Sequence, residues 1–319
     1  MPQPCVVTIG NFDGVHLGHR AILSCARSLA QGRGASVKVL TFDPHPATVL
    51  RPDAAPPRLT SRPEKIELLR EGGADEVVVL EPTKELLSLA PQAFIAQVCE
   101  AHQPVAFVEG RDFRFGKGRG GDLSLLESLG RSHGFEVIIV EAQEAALSDH
   151  LIAPVRSSLI RWLLAHGRVM DAGLCLGRWY SLTAPVVRGE QRGRTIGIPT
   201  ANLDMAMISD RALPGDGVYA GLAVLPDGKE IAAAISVGMK PTFAGKLRVI
   251  EACLLDYDAD LYARPLTLRF CRWLREQRPF AGVEELQAQL HRDVAAVRRL
   301  RDVNELQTLR SAMSAASNG

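Results

Sequence analysis

The sequence carries almost no net charge: 37 lysines and arginines stand against 36 aspartates and glutamates, a formal balance of +1. That removes any bulk electrostatic case for a nucleic-acid or membrane-surface partner. Only local charge is left, of the kind a phosphate-bearing small molecule needs. Paired cysteines are also lacking. The six (Cys5, Cys25, Cys99, Cys175, Cys253, Cys271) stand singly, with no CxxC spacing. They predict buried thiols in a reducing compartment, not disulfides or metal ligands. No apolar run is long enough to span a bilayer, and the N-terminal stretch has no secretory-signal pattern, so the expected location is the cytoplasm. No internal repeat stands out. At 319 residues and 46% apolar content, the chain predicts two globular domains, each with its own core.

What the chain does have begins at Gly10. The apolar run Cys5-Val6-Val7-Thr8-Ile9 is followed directly by GNFDGVHLGH (10–19). A short β-branched run suits a buried parallel strand, and Gly10, Gly14 and Gly18 let the backbone turn sharply beside a ligand. His16 and His19 fall three apart where a helix starts, so both point toward its positive end, where phosphate binds well. The alternative is a strand–turn–helix whose histidines cap or pack.

Up to about residue 150 strands and helices alternate: strands at 6–9, 36–41, 76–80, 104–108 and 136–140, helices at 17–31, 63–71, 91–101 and 122–132. This predicts a doubly wound parallel sheet, with ligands at the carboxyl ends of its strands. Three further loops are expected at the same crevice. TFDPHP (41–46) is stiffened by two prolines. The loop from Glu109 to Arg119 offers Phe113 and Phe115 for stacking on a planar ring, Asp112 for ring N–H groups and arginines for phosphate. As a surface loop, the same aromatics would dock on its own core. In VRSSLIR (155–161), Ser157 and Ser158 precede a helix expected at 159–167; they serve as N-caps or, facing the histidines, hold phosphates with Arg161 as counter-charge.

From about Trp179 the texture changes to short alternating runs at 180–187, 217–224, 231–237, 249–255 and 266–273, which predict an antiparallel barrel. Helical spacing returns over 283–309. Between them, a basic glycine-rich loop leads into Pro199-Thr200-Ala201-Asn202. Its backbone N–H groups, with Arg192 or Arg194, suit phosphates, and Thr200 and Asn202 supply oxygens of the sort magnesium accepts. Glu251, in a strand, is either a solvated acid or a general base.

Taken together, GNFDGVHLGH, TFDPHP, EKIELL (64–69), EGRDFRFGKGRGGD (109–122), SSLIR (157–161), LGRWYSL (176–182), GRTIGIPTANL (193–203), GMKPTF (238–243) and LREQRPF (274–280) resemble the bacterial bifunctional riboflavin kinase/FMN adenylyltransferase (FAD synthetase) family over about residues 5–305. The resemblance implies a Rossmann-like nucleotidyltransferase domain at 1–170 and a β-barrel riboflavin kinase domain with a C-terminal helix at 176–310; the stretch between about 168 and 178 reads as a short linker, and the small, polar residues 311–319 predict a disordered tail. It implies ATP and Mg2+, with riboflavin, FMN and FAD as substrates and products. A weak homo-oligomer is compatible with it. Gly10, Asn11, Phe12, Gly14, His16, His19, Ser157, Ser158 and Arg161 would bind ATP for adenylyl transfer, and Asp112, Phe113 and Phe115 would line the flavin. In the kinase half, Gly193, Arg194, Thr200 and Asn202 would hold Mg-ATP, Glu251 would act as base, and Arg275 would lie near the flavin.

Four departures from the family pattern stand out. Arg156 replaces a serine and Ser158 a threonine in the segment before Arg161, Ala263 replaces a glycine, and Lys240 replaces an arginine. Arg156 motivates an alternative, a riboflavin kinase whose first half has lost adenylyl transfer. A second alternative is a non-catalytic flavin- or nucleotide-binding module.

Overall fold

The computed structural model describes residues 4–189, 199–242 and 245–306. The chain forms two compact units, Met1–Ala145 with Ala153–Ser157, and Ala146–Ile152 with Ser158–Gly319. In the first, β1 (Cys5–Gly10), α1 (Leu17–Arg33), β2 (Ser36–Phe42), α2 (Ala47–Leu50), α3 (Arg62–Glu71), β3 (Glu76–Leu80), α4 (Lys84–Ser88), α5 (Pro91–His102), β4 (Pro104–Gly110), α6 (Leu123–His133) and β5 (Glu136–Val140) follow in order. The strands make one parallel sheet in the order β3-β2-β1-β4-β5. Both faces are covered. Leu23, Ala26 and Ala30 of α1 and Leu68 and Leu69 of α3 pack on one face, and Phe94, Ile95 and Val98 of α5 and Leu126 of α6 on the other. Burial on two sides explains why these strands read as unbroken apolar runs. The order reverses between β1 and β4, and such a switch point opens a crevice at the carboxyl ends of the strands.

After a small two-stranded sheet of β6 (Glu144–Ala146) and β7 (Ile152–Pro154) come α7 (Ser157–Ala165) and α8 (Val169–Leu176). The six strands β8 (Tyr180–Val187), β9 (Ala201–Leu203), β10 (Gly217–Val224), β11 (Glu230–Thr242), β12 (Gly245–Leu254) and β13 (Pro265–Arg275) close an antiparallel barrel in the order β10-β11-β12-β9-β8-β13. Tyr219 and Phe270 meet edge-to-face at 5.5 Å in its interior. Ala220, Leu222, Ala232, Ala234 and Cys271 face outward and are covered by Trp179, Val297 and Leu306, so α9 (Val283–Asp302) closes a second core layer. Trp179 Nε1 donates to the Leu306 carbonyl at 3.2 Å and ties that layer off.

Several boundaries differ from the sequence reading. The stretch near 168–178, read as a linker, is α8, whose Val169, Ala172, Cys175 and Leu176 are buried. Asp171 fixes it, accepting from Ser148 N at 2.7 Å, Ser148 Oγ at 3.1 Å and Arg168 Nε at 2.6 Å. The helix expected at 159–167 begins two residues earlier, at Ser157. β9 was not anticipated, and β11 and β12 extend beyond the expected runs. Gly193, Arg194 and the tail at 311–319 lie outside the described residues.

Candidate active sites

In the first unit, the strand-to-helix loop after β1 is held in an unusual backbone shape. Phe12, Gly14 and Val15 all have positive φ, at 46°, 85° and 38°. Two of these are L side chains in a region that costs energy, and such strain clusters at functional loops. Buried hydrogen bonds sustain it. The Asp13 carboxylate accepts from Leu59 N at 3.0 Å and Thr60 N at 3.2 Å, Gly14 N donates to Thr60 Oγ1 at 3.2 Å, and Ser157 Oγ donates to the Asp13 carbonyl at 2.8 Å. On the far side, Thr41 Oγ1 donates to the Asn11 carbonyl at 3.1 Å, and Lys65 Nζ to the Phe42 carbonyl at 2.7 Å. Lys65 is buried, which pushes its ammonium pKa down against the opposing pull of Asp43 and Asp13.

This scaffold brings His16 and His19 together. Their rings stack with centroids 3.6 Å apart, and Phe12 meets His19 edge-on at 5.0 Å. His16 is the N-cap of α1, its Nδ1 accepting from His19 N at 3.4 Å. Accepting at Nδ1 puts the proton of the neutral ring on Nε2, making that nitrogen a donor. The capping alternative and the phosphate alternative are thus compatible in one side chain. Asn11 Nδ2 lies 3.2 Å from His45 Nε2, which brings TFDPHP to the same strand ends. Phe113 and Phe115 stack at 5.3 Å, with Phe115 buried in the core and Phe113 half-buried against it. Ser158 and Arg161 lie on the first turns of α7 in the second unit, with Ser158 exposed.

Glu109 is a residue the sequence reading did not single out. Backbone pairing of β1 with β4 ends at Val7 and Phe107. One step further, Glu109 Oε1 accepts from Ile9 N at 2.7 Å, so a side chain replaces the next ladder bond at the switch point. Glu109 is buried, and desolvation raises its carboxyl pKa well above the ordinary 4.5. A groove of about 360 Å³ lined by Ser36, Lys38, Asp75, Glu76 and His102 lies instead at the amino ends of β2 and β3. Its charges are already paired, Lys38 with Glu76 at 2.9 Å and Asp75 with Arg27 at 2.7 Å.

The barrel places its own candidates in a row. Glu251 on β12 pairs with Ser236 on β11 and with Asn202 on β9. Residues directly opposite across strands share a face with Cβ atoms roughly 5 Å apart. Ser236 continues the outward face of Ala232 and Ala234 beyond the patch that α9 covers. Asn202 therefore sits beside Glu251 as Thr200 and Asn202 enter the barrel edge, and hydroxyl, amide and carboxylate oxygens are the donors a hard cation takes. Among the described residues no cluster of His, Cys, Asp and Glu is built to cage a metal by itself.

Arg275 is fully engaged elsewhere. Its Nε and Nη2 donate to Asp293 of α9 at 2.9 and 2.7 Å, and its Nη1 to the Glu276 carbonyl at 2.8 Å. It acts as a strut fixing the loop after β13, which the sequence reading assigns to the flavin, to the helix. Gln277, two residues on, reaches the row instead: its Nε2 donates to Ser236 Oγ at 2.8 Å.

Residues 1–150 match the family model for FAD synthetase and residues 176–301 that for riboflavin kinase. The bifunctional riboflavin kinase/FMN adenylyltransferase of Escherichia coli K12 is 36% identical over 93% of this chain and 92% of its own. The chain belongs to the bifunctional riboflavin kinase/FMN adenylyltransferase family. A Pseudomonas fluorescens member is 37% identical over 93% of both chains. A crystal structure described as a macrolide-efflux protein from Streptococcus pneumoniae superposes with a TM-score of 0.83 at 30% identity, over 93% of this chain and 95% of that one. No helix among the described residues is long and apolar enough to cross a membrane.

Two of the departures from the family pattern acquire a structural reading. Arg156 is exposed. Ala263 has φ of 60°, so its turn does require the left-handed conformation that favours glycine.

Proposed function

We propose that the chain makes FAD from riboflavin in two ATP-dependent steps. The observation that carries this reading is the presence, in one chain of this family, of the His16–His19 pair at the switch point and of the Asn202–Glu251 pair on the barrel.

In the kinase half, the Glu251 carboxylate takes the proton of the terminal ribityl hydroxyl. That oxygen attacks the γ-phosphorus of ATP, and ADP leaves, giving FMN. Phosphoryl transfer depends mostly on positioning and charge neutralisation, so one aimed carboxylate and a phosphate loop meet its protein-side demands. Thr200 and Asn202 would hold Mg2+, which when bound with ATP supplies charge neutralisation. Gly193 and Arg194 belong to the loop assigned to the ATP phosphates.

In the first half, a phosphate oxygen of FMN attacks the α-phosphorus of a second ATP, and pyrophosphate leaves. No protein nucleophile is needed, so electrostatic stabilisation is the main demand. His16 and His19, at the positive end of α1, meet the phosphates together with the backbone of Gly10, Asn11, Phe12 and Gly14. Phe113, with Asp112, serves the flavin ring, and the buried Phe115 packs behind Phe113.

Chromatography of products from riboflavin with Mg-ATP tests the reading. FMN should appear first and FAD after it. FMN that never proceeds to FAD would remove the adenylyltransferase assignment, and absence of both products would remove the whole reading.

A further inference from the structure

The loop after β13 reaches the barrel face through Gln277, and the fit is close. A Cβ placed on Gly238 of β11 would stand 1.9 Å from Gln277 Oε1 and 2.3 Å from its Cδ. Only glycine at 238 lets this amide lie flat on the strand. Two residues back on the same face, Ser236 Oγ accepts from Gln277 Nε2, and Ser236 is directly opposite Glu251. Among the described residues, Gln277 Oε1 accepts no further bond and the Ser236 hydroxyl donates none. The loop itself is held by Arg275 on Asp293, so Gln277 is presented by a fixed support.

The result is a neutral pair of amide and hydroxyl running across the outer face to the Glu251 carboxylate. Its chemistry suits a polyol. Each of its neutral members both donates and accepts, as a chain of hydroxyl groups does, and neither has a charge that would favour phosphate or cation. We propose that Gln277 and Ser236 bind the ribityl chain of the flavin substrate and so deliver its terminal hydroxyl to Glu251. This rests on the kinase reading above and adds to it the residues that select a polyol-bearing flavin.

The test uses the full chain, with riboflavin as substrate and lumiflavin, an isoalloxazine without the polyol, as competitive inhibitor. Gln277→Met keeps the length of the side chain and removes its hydrogen bonds. The riboflavin KM should rise about five- to tenfold while the lumiflavin inhibition constant moves less than about twofold. Gly238→Ala, which displaces the amide without altering it, should reproduce that split. A kcat for FMN formation close to that of the unmodified protein reports that the barrel is folded in the same preparations. A riboflavin KM unchanged in Gln277→Met overturns the proposal. So does a parallel rise in both constants, which would mean a general disturbance of the flavin site. Absence of FMN from the unmodified protein would instead overturn the kinase reading, and this inference with it.

Discussion

The two candidate sites are built by different means. The histidine loop of the first unit is over-determined: strained backbone at Phe12 and Val15, a carboxylate at Asp13 spent on backbone N–H groups, and Ser157 returning from far along the chain. The barrel site relies on regular strand register, which sets Ser236, Glu251 and Asn202 side by side with no strained residue among them. The difference follows from the chemistry assigned to each. Adenylyl transfer asks the protein for aimed donors and no base, so the backbone must be shaped around the phosphates. Phosphoryl transfer to a hydroxyl asks for one carboxylate at a fixed distance, which a β-ladder supplies directly.

Breaking one site should leave the other working. Glu251→Gln should cut FMN formation by about 10²- to 10⁴-fold, with FMN-to-FAD conversion unchanged, as read by separate assays of each step. Loss of both activities would show that the halves are interdependent. His19→Ala should lower FAD formation from FMN by about 10²-fold or more and spare FMN formation. An unchanged FAD rate would leave the histidine pair a purely structural feature.

Smaller effects sharpen the contrast. Ala263 is exposed and left-handed, so Ala263→Gly relieves strain without removing packing and should stabilise the second unit by about 1 kcal/mol in denaturant unfolding. No stabilisation would mean the turn accepts a Cβ freely.

Glu109 sets a pH dependence on the first unit. Burial raises its carboxyl pKa above the ordinary 4.5, so above that value the folded state holds a proton the unfolded state has released. This group's contribution therefore weakens stability as pH rises through that window. Glu109→Gln cannot ionise, and its stability relative to the parent should increase as pH rises above about 4.5 in urea titrations. Parallel curves would show that Glu109 is charged in the fold. The smallest change is expected for Arg156→Ser. Because Arg156 is exposed, FAD formation should shift by no more than about threefold, within the scale of exposed charge effects.

Much of this was legible in the sequence where burial and period agree. The parallel sheet announced itself because both faces are covered, and the barrel through its alternating runs. Legibility failed where short segments depend on distant partners. The stretch near 168–178 reads as a linker because it is short and lies where one pattern gives way to another, yet Asp171 anchors Val169–Leu176 as a helix, through Ser148 and Arg168. The LREQRPF segment was recognisable, but which of its residues reaches the Glu251 row was not. That depends on Asp293, on a helix further along the chain, which takes Arg275 away and leaves Gln277 in place. Glu109 left no periodic signal at all, since its role is to substitute for one missing ladder bond.

The central claim, two separate sites acting in sequence, is tested most directly by mixing the two broken proteins. Glu251→Gln alone should give neither product from riboflavin and Mg-ATP, and His19→Ala alone should stop at FMN. Together they should make FAD, the second protein supplying FMN to the first. A mixture that accumulates FMN and yields no FAD would contradict the account.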